Sequence, residues 1–310
     1  MSKLPEVKHC QRGMSWWPGL IAGSAGVLAF SGTLPATRAA LSFFTPLAIT
    51  SARIEIAALL GVGTLVAIGQ LRLPDREYWL GILWTGLGLA VGYPLFVAIA
   101  LQHVPAAHGA VVIGLAPVAT ALIAVFRLGE RPGPVFWLAS ITGVGAVLLF
   151  ALHQGGGVTL ADAWLVAAIA SVGLAYVEGG RVSRALGGTV TLCWAMIVLA
   201  PFAAIPLIRE LCLLDWTQPI GTAAWIGFWY AGVVSMFLGS VFWYRGLAAG
   251  GVARVGKLNL IQPLLALFWS ALLLGERVTG TTVLCAVVVL GAMIVCIKSR
   301  VPVAIQADAK

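Results

Sequence analysis

Charged residues are scarce in this sequence. Only 10% of its 310 residues are Asp, Glu, Lys or Arg, whereas a soluble domain carries about 25%. So few charges cannot cover a water-exposed surface, which excludes an ordinary soluble enzyme or nucleic-acid-binding domain, although the net charge is +8. The hydrophobic content of 60% and the mean hydropathy of +1.00 instead indicate an integral membrane protein.

Motifs for covalent chemistry and metal binding are missing as well. The five cysteines form no CxxC pair, and the four histidines, which fall outside the apolar runs, lack metal-ligand spacing. The chain has no Walker A motif, and its apolar runs hold no paired aspartates and no His-rich motif. We therefore predict no metal and no cofactor, disfavour an intramembrane enzyme, and expect no ATP-driven transport by this chain alone.

Long apolar runs, in contrast, recur along the whole chain with short connections between them. Ten runs have 18 or more residues and could each cross a bilayer as a helix. The runs are residues 17–35, 44–69, 78–101, 109–126, 134–152, 163–180, 189–208, 222–244, 255–274 and 279–297. The sequence therefore predicts an all-α integral membrane protein with the bilayer as its surroundings and no obligatory protein partner.

The positions of the basic residues predict the orientation. With the N-terminus on the cytoplasmic side, fifteen of the nineteen Lys and Arg residues lie in cytoplasmic segments and three in external segments. The remaining one, Arg53, lies within a span. Because cytoplasmic loops are enriched in Lys and Arg, both termini should face the cytoplasm and the chain should lie in the cytoplasmic (inner) membrane.

An internal repeat with a shift of 146 residues divides the chain. The tetrapeptide LGER occurs at 128–131 and 274–277, and in the same register Trp79 matches Trp225 and Pro117 matches Pro263. Each half holds five spans, and an odd number inverts the second half, as in many secondary transporters. The predicted segments are 1–16 (cytoplasmic), 17–152 (first repeat), 153–162 (external linker), 163–298 (second repeat) and 299–310 (cytoplasmic tail). The glutamates of the two LGER copies are expected to be solvated or to cap the next helix.

The stretch FVAIALQHVPAAHGAVVIGLAPVATALIAVFRLGERPGPVFWLASITGVGAVLLF, from Phe96 to Phe150, resembles the EamA repeat of the drug/metabolite transporter superfamily. It has an aromatic residue before AL, a loop into AA, a proline within a helix, LGE and a Gly-rich last helix, and residues 242–297 carry this pattern again. The chain is most similar to the YddG-type exporters. This resemblance implies a ten-helix secondary transporter that exports aromatic amino acids and related small molecules by alternating access. A multidrug, sugar or amine carrier and a passive pore remain alternatives.

Four ionisable residues within the predicted spans are candidates for coupling or for polar intramembrane roles. Arg53 and Glu55 are two positions apart and face nearly opposite sides of a helix, so each needs a partner elsewhere or a water-filled cavity. Glu178 should pair locally with Arg181, three residues later. Lys257 should extend to the cytoplasmic interface. Proton antiport and facilitated export both remain open.

The ninth span carries the strongest sequence signal for a substrate site. Asn259, Gln262, Pro263 and Ser270 share one helix face, which must look inward because polar side chains facing lipid are unfavourable. The face either lines a cavity or bonds a neighbouring span. Pro263 and its repeat partner Pro117 are predicted helix breaks beside that cavity.

Aromatic residues in three other spans are further candidates for lining the site. They could equally pack between helices or face lipid, as most aromatic residues of membrane proteins do. The four candidates are Tyr93, Phe96, Tyr176 and Tyr244.

Overall fold

The computed structural model describes residues 17–128, 133–153, 159–250 and 255–299, and in these residues it contains helices and short connections but no strand. Two short 3-10 helices cover Arg76–Tyr78 and Gly256–Ile261, and two π-helical stretches cover Leu87–Gly92 and Tyr230–Gly239. The α-helices are α1 (Trp17–Ser31), α2 (Thr33–Ala40), α3 (Pro46–Ala67), α4 (Trp79–Gly86), α5 (Tyr93–Leu101), α6 (Ala106–Ile113), α7 (Ala116–Leu128), α8 (Pro134–His153), α9 (Leu160–Leu186), α10 (Gly188–Leu213), α11 (Thr222–Trp229), α12 (Ser240–Gly250), α13 (Gln262–Leu274) and α14 (Gly280–Ser299).

Seven helical segments of the described chain are long and apolar enough to cross a membrane. They are Trp17–Ala40, Pro46–Ala67, Arg76–Leu101, Ala106–Arg127, Leu160–Leu186, Gly188–Leu213 and Thr222–Gly246. The other three predicted spans correspond to shorter apolar helices at Pro134–Phe150, Leu258–Leu274 and Gly280–Cys296. The protein is therefore a multi-pass membrane protein.

Local sequence explains where several helices begin and end. Thr45 caps α3 by accepting a hydrogen bond from the Ala48 N–H, and Pro46 occupies the first turn, where a missing N–H has no effect. Thr159 and Asp162 form a capping box at the start of α9. Gly275 ends α13 with a φ of 64°, a left-handed conformation that favours glycine.

Several membrane helices are interrupted. The first is broken at Gly32, between α1 and α2, and another at Gly114–Leu115, just before the α7 residue Pro117. Pro263 stands in the first turn of α13, directly after a 3-10 helix. The two π-helical stretches occupy equivalent positions of the repeat. Such irregularities release backbone groups and are common near functional sites.

Close contacts between helices depend on glycines. A Cβ on Gly88 would lie 2.3 Å from the Ser171 carbonyl oxygen, and one on Gly227 would lie 2.3 Å from the Ala36 carbonyl oxygen. Packing without side chains brings α9 against α4 and α5, and α11 against α2. Further contacts join α1 with α12, α3 with α10, α6 with α13, α7 with α9, and α8 with α14.

Candidate functional site

The side chain of Arg53 is a buried cation within a membrane helix. It is 4% exposed, and no carboxylate of the described chain lies within ion-pair distance of it. One guanidinium nitrogen lies 3.9 Å from the Met236 sulfur, while Nε has no hydrogen-bond partner among the described residues. An unpaired buried charge is strongly unfavourable, so this guanidinium is suited to bind an anion.

Tyrosines from three other spans form a series of electrostatic neighbours that begins at this arginine. The phenol of Tyr93 interacts electrostatically with the Arg53 guanidinium, and the phenol of Tyr176 interacts with those of Tyr93 and Tyr244. Tyr176 lies deep within the protein, yet 46% of its surface is exposed. A side chain that is surrounded by protein but still has an accessible surface faces an internal space. We call Arg53 and these three tyrosines the tyrosine site.

Unsatisfied polar atoms occur at two further predicted residues. Glu55 Oε1 and Asn259 Oδ1 are buried and accept no hydrogen bond from the described chain. A neighbouring helix therefore does not bond the Asn259 carbonyl group. Buried acceptors without partners are rare in proteins, so these two oxygens are available to accept a hydrogen bond from water or from a bound molecule.

Three other predicted residues already have protein partners. The Ser270 hydroxyl donates to the Ala266 carbonyl oxygen of its own helix at 2.8 Å. The Phe96 ring stacks on Trp164, with ring centroids 5.4 Å apart. The Phe96 contact matches the packing alternative for that residue, whereas the Ser270 bond lies within its own helix and matches neither the cavity nor the neighbouring-span alternative.

Glu178 is the third residue of this group. It forms the expected pair with Arg181 at 3.3 Å, and it also pairs with Arg127 of α7 at 2.8 Å. Gln262 is half-buried at the start of α13, and the Lys257 side chain lies outside the described part of the protein.

The structure also shows polar pairs that the sequence did not predict. The Thr33 and Ser235 hydroxyls lie 2.6 Å apart, one beside the break at Gly32 and the other in a π-helical stretch. His108 lies inside α6, contrary to the expectation that all histidines fall outside the spans, and its Nε2 is 2.7 Å from Asp162 Oδ1. The spacing of Thr159 and Asp162, which is that of a capping box, is a sequence signal that could have drawn attention to Asp162.

The hairpin between α5 and α6 is held from two sides. Both carboxylate oxygens of Glu276 accept backbone N–H bonds at 2.8 Å, one from Ala106 and one from Ala107. Arg38 donates to the carbonyl oxygen of Leu101, at the end of α5. The second LGER glutamate therefore caps a helix of the other half of the chain and not, as expected, the next helix. Glu130, in the first LGER copy, lies outside the described residues.

Comparison with known proteins identifies the family. The EamA-like transporter family matches residues 17–152 and, a second time, residues 159–297. The chain belongs to the EamA-like transporter family. Among its relatives, this EamA-like transporter is 45% identical over 261 residues to the uncharacterized transporter YdeK of Bacillus subtilis (84% of this chain, 90% of that protein).

More distant similarities extend over most of the chain. A probable terminal-alkyne amino-acid exporter of Streptantibioticus cattleyicolor is 25% identical over 252 residues, covering 81% of this chain and 83% of that protein. A crystal structure of another protein superposes with a TM-score of 0.60 at 21% identity, covering 89% of this chain and 95% of that chain. That superposition supports the fold alone.

Proposed function

We propose that this EamA-like transporter is a secondary transporter that exports small organic solutes across the cytoplasmic membrane by alternating access. Its preferred substrates are aromatic or hydrophobic amino acids and related compounds. The observation that carries the proposal is Arg53, a buried membrane cation without a carboxylate partner, next to Tyr93. The guanidinium offers a partner for a substrate carboxylate, and the tyrosine rings offer surfaces for an apolar body.

Two similarities support this substrate class. The sequence resembles the YddG-type exporters, and one distant relative is named a probable amino-acid exporter. The unpartnered Asn259 Oδ1 adds an acceptor that suits an amino or hydroxyl group of the substrate. A site with a cation and aromatic rings suits a molecule that has both a carboxylate and an apolar body.

The transport unit is proposed to consist of two inverted repeats of five helices. In support of this, the family matches the chain twice. The 146-residue shift also relates the helix contacts of the two halves. α1 packs on α12, and their respective equivalents, α9 and α5, pack on each other. Two helices pack on their own equivalents: α3 on α10, and α8 on α14. Five helices in each repeat place equivalent ends on opposite membrane faces.

Differences between equivalent contacts support alternating access. Arg38 and Glu276 hold the α5–α6 hairpin, and α6 packs against α13. At the other face, the Arg38 equivalent Arg184 is exposed, and among the described residues it forms no hydrogen bond. The described residues also show no comparable packing of the 3-10 helix Gly256–Ile261 on α7. The equivalents of Glu276, Ala106 and Ala107 lie outside the described residues. One face is thus held by an arginine bond and a helix packing that the described residues of the other face do not show.

The orientation is part of the same proposal. The fifteen-to-three distribution of basic residues supports cytoplasmic termini, which places Arg184 at the cytoplasmic face and the α5–α6 hairpin at the external face. The conformation is then closed to the outside, as an exporter must be when it receives substrate from the cytoplasm.

Counterflow in proteoliposomes tests the proposed function. We expect saturable uptake of phenylalanine that is accelerated by unlabelled phenylalanine on the opposite side. Because Arg53 recognises the carboxylate, phenethylamine, which lacks this group, should compete weakly. Equal competition by the amine would contradict the carboxylate site and favour an amine or multidrug carrier. Flux without saturation or counterflow would indicate a pore.

Replacement of Asn259 by Leu separates substrate binding from helix packing. The Asn259 Oδ1 atom has no partner in the described part of the protein, so the apolar variant should melt no lower than the wild type. The apparent affinity for substrate should fall roughly 2- to 10-fold, the effect of losing one neutral hydrogen bond. Gln70→Leu, which removes an exposed amide outside the spans, is the matched control. Lower stability with unchanged affinity would assign Asn259 to packing.

A further inference from the structure

A second cavity, of about 280 Å³, lies between α4, α7 and α9, near the ends of these helices. Arg127 is one residue from the end of α7, and Arg181 is five residues from the end of α9. At about 1.5 Å per residue, both are within roughly 8 Å of the helix ends, at the depth of lipid headgroups. The lining residues are Leu80, Trp84, Arg127, Val177, Glu178 and Arg181.

This cavity opens away from the tyrosine site. Gly88, which follows α4, contacts Ser171 of α9, and Gly173 of α9 contacts Thr120 of α7 on the other side, so α9 lies between the two helices. At about 100° per residue, Glu178 and Tyr176 point about 160° apart around α9. Since Tyr176 faces the internal space, the cavity faces the exterior of the helix bundle.

Exposed apolar residues continue from the cavity toward the membrane interior. Leu80, Trp84 and Leu87 follow one another at helical spacing and are 62%, 37% and 36% exposed. On α9, Val166 is 54% exposed and lies about 20° from the direction of Val177. The exposed residues of α4 and Leu87, together with Val166, form an apolar surface below a polar entrance, as the acyl chains and headgroup of a phospholipid require.

The cavity contains more positively charged side chains than negatively charged ones. Glu178 is buried and sits between the two guanidinium groups, at 2.8 Å from Arg127 and 3.3 Å from Arg181. The two arginine side chains are 49% and 58% exposed, so both keep N–H donors on the open side. One carboxylate against two arginines leaves a net positive charge, and guanidinium groups bind phosphate through paired hydrogen bonds.

We propose that this cavity binds the phosphate headgroup of an anionic phospholipid, with the acyl chains along the Leu80–Leu87 stripe. The ligand belongs to the leaflet that contains the end of α9, the cytoplasmic leaflet in the orientation proposed above. Anionic lipids are attracted to basic pockets between membrane helices in this way. The site is separate from the tyrosine site and does not depend on the identity of the transported solute.

Titration of the purified full-length protein in mixed micelles tests the site. Phosphatidylglycerol should raise the melting temperature saturably, and phosphatidylcholine with the same acyl chains should have a smaller effect. Arg181→Gln should raise the half-saturating phosphatidylglycerol concentration roughly 10-fold, the effect of one charge-assisted hydrogen bond. Arg72→Gln, a loss of the same charge at an exposed position outside the cavity, should leave it unchanged.

A second variant should change phosphatidylglycerol binding in the opposite direction. Glu178→Gln removes the counter-charge and releases both arginines, so phosphatidylglycerol should bind more tightly, whereas a purely structural ion pair predicts no gain in binding. The proposal is overturned if both lipids stabilise equally, if Arg181→Gln binds as the wild type does, or if Glu178→Gln weakens binding. Saturation by glycerol 3-phosphate at the same concentrations would assign the site to a soluble phosphate instead, and would also overturn it.

Discussion

Arg53→Met should lower the apparent affinity for phenylalanine roughly 10- to 100-fold, since a hydrogen bond to a charged group contributes about 1.5–3 kcal/mol. Met matches the length of the aliphatic part of Arg but removes the charge. Because Arg53 is buried without a carboxylate partner, the variant should melt at the same temperature as the wild type or higher. Counterflow kinetics and thermal unfolding of the same preparation measure both effects.

Two controls make this result specific. Arg53→Lys keeps a charge but not the planar group of donors, so it should retain part of the affinity. Arg76→Met removes an exposed charge outside the site and should behave as the wild type. If Arg53→Met unfolds at a lower temperature and the surviving protein transports with normal affinity, Arg53 is a structural residue and the carboxylate site is wrong.

The helical framework could be predicted from the sequence because its main determinant is local. An apolar run long enough to cross the bilayer must form a helix, since no other structure of one segment satisfies its backbone groups there. Pro117 and Pro263 likewise stand in the first turns of helices, after interruptions, because proline removes a backbone donor wherever it occurs. The π-helical stretches were not predicted, since nothing in their composition distinguishes them from regular helix.

The site could be predicted only in part, because its members are defined by neighbours distant in sequence. Phe96 and Tyr176 were equivalent candidates, but Trp164 covers Phe96, whereas Tyr176 remains open to an internal space. Arg53 was expected to need either a partner from another helix or a water-filled cavity. Its neighbour Met236 is 183 residues away in the chain, and no local pattern indicates that contact.

The same limit applies to acids and bases between helices. His108 lies in the first turn of α6, only one residue outside the predicted span, so its burial against Asp162 was missed. Glu276 was predicted from its hairpin to be solvated or to cap the next helix, yet its partners are 169 and 170 residues away. In both cases the residue type was informative, but the pairing depended on how the two halves of the chain pack.

Glu276→Ala should shift the transporter away from the externally closed state. Its carboxylate accepts two backbone N–H bonds at the N-terminus of α6, where the helix dipole also favours a negative charge. If these bonds form in only one state, their loss changes the equilibrium by about 1.5–3 kcal/mol, or roughly 10- to 100-fold. Amide hydrogen exchange over residues 102–109 should become roughly 10-fold faster.

Arg38→Gln should act in the same direction, because it removes the bond to the other end of the hairpin at Leu101. Arg184→Gln is the matched control, since Arg184 is the repeat equivalent of Arg38 but is exposed and forms no hydrogen bond with the described residues. This substitution should leave amide exchange over residues 102–109 unchanged or make it slower. A contact that is not formed in this conformation can stabilise only the opposite state, so its loss cannot open the α5–α6 hairpin.

Transport kinetics decide whether these contacts act as a gate or only as a helix cap. A gate that closes one face also controls the rate at which the carrier returns, so Glu276→Ala and Arg38→Gln should change the counterflow rate together with amide exchange. A cap would change exchange and melting temperature but leave the counterflow rate per folded molecule unaltered. That second outcome would mean that the two contacts only stabilise the fold. It would remove the main structural support for the proposal of alternating access.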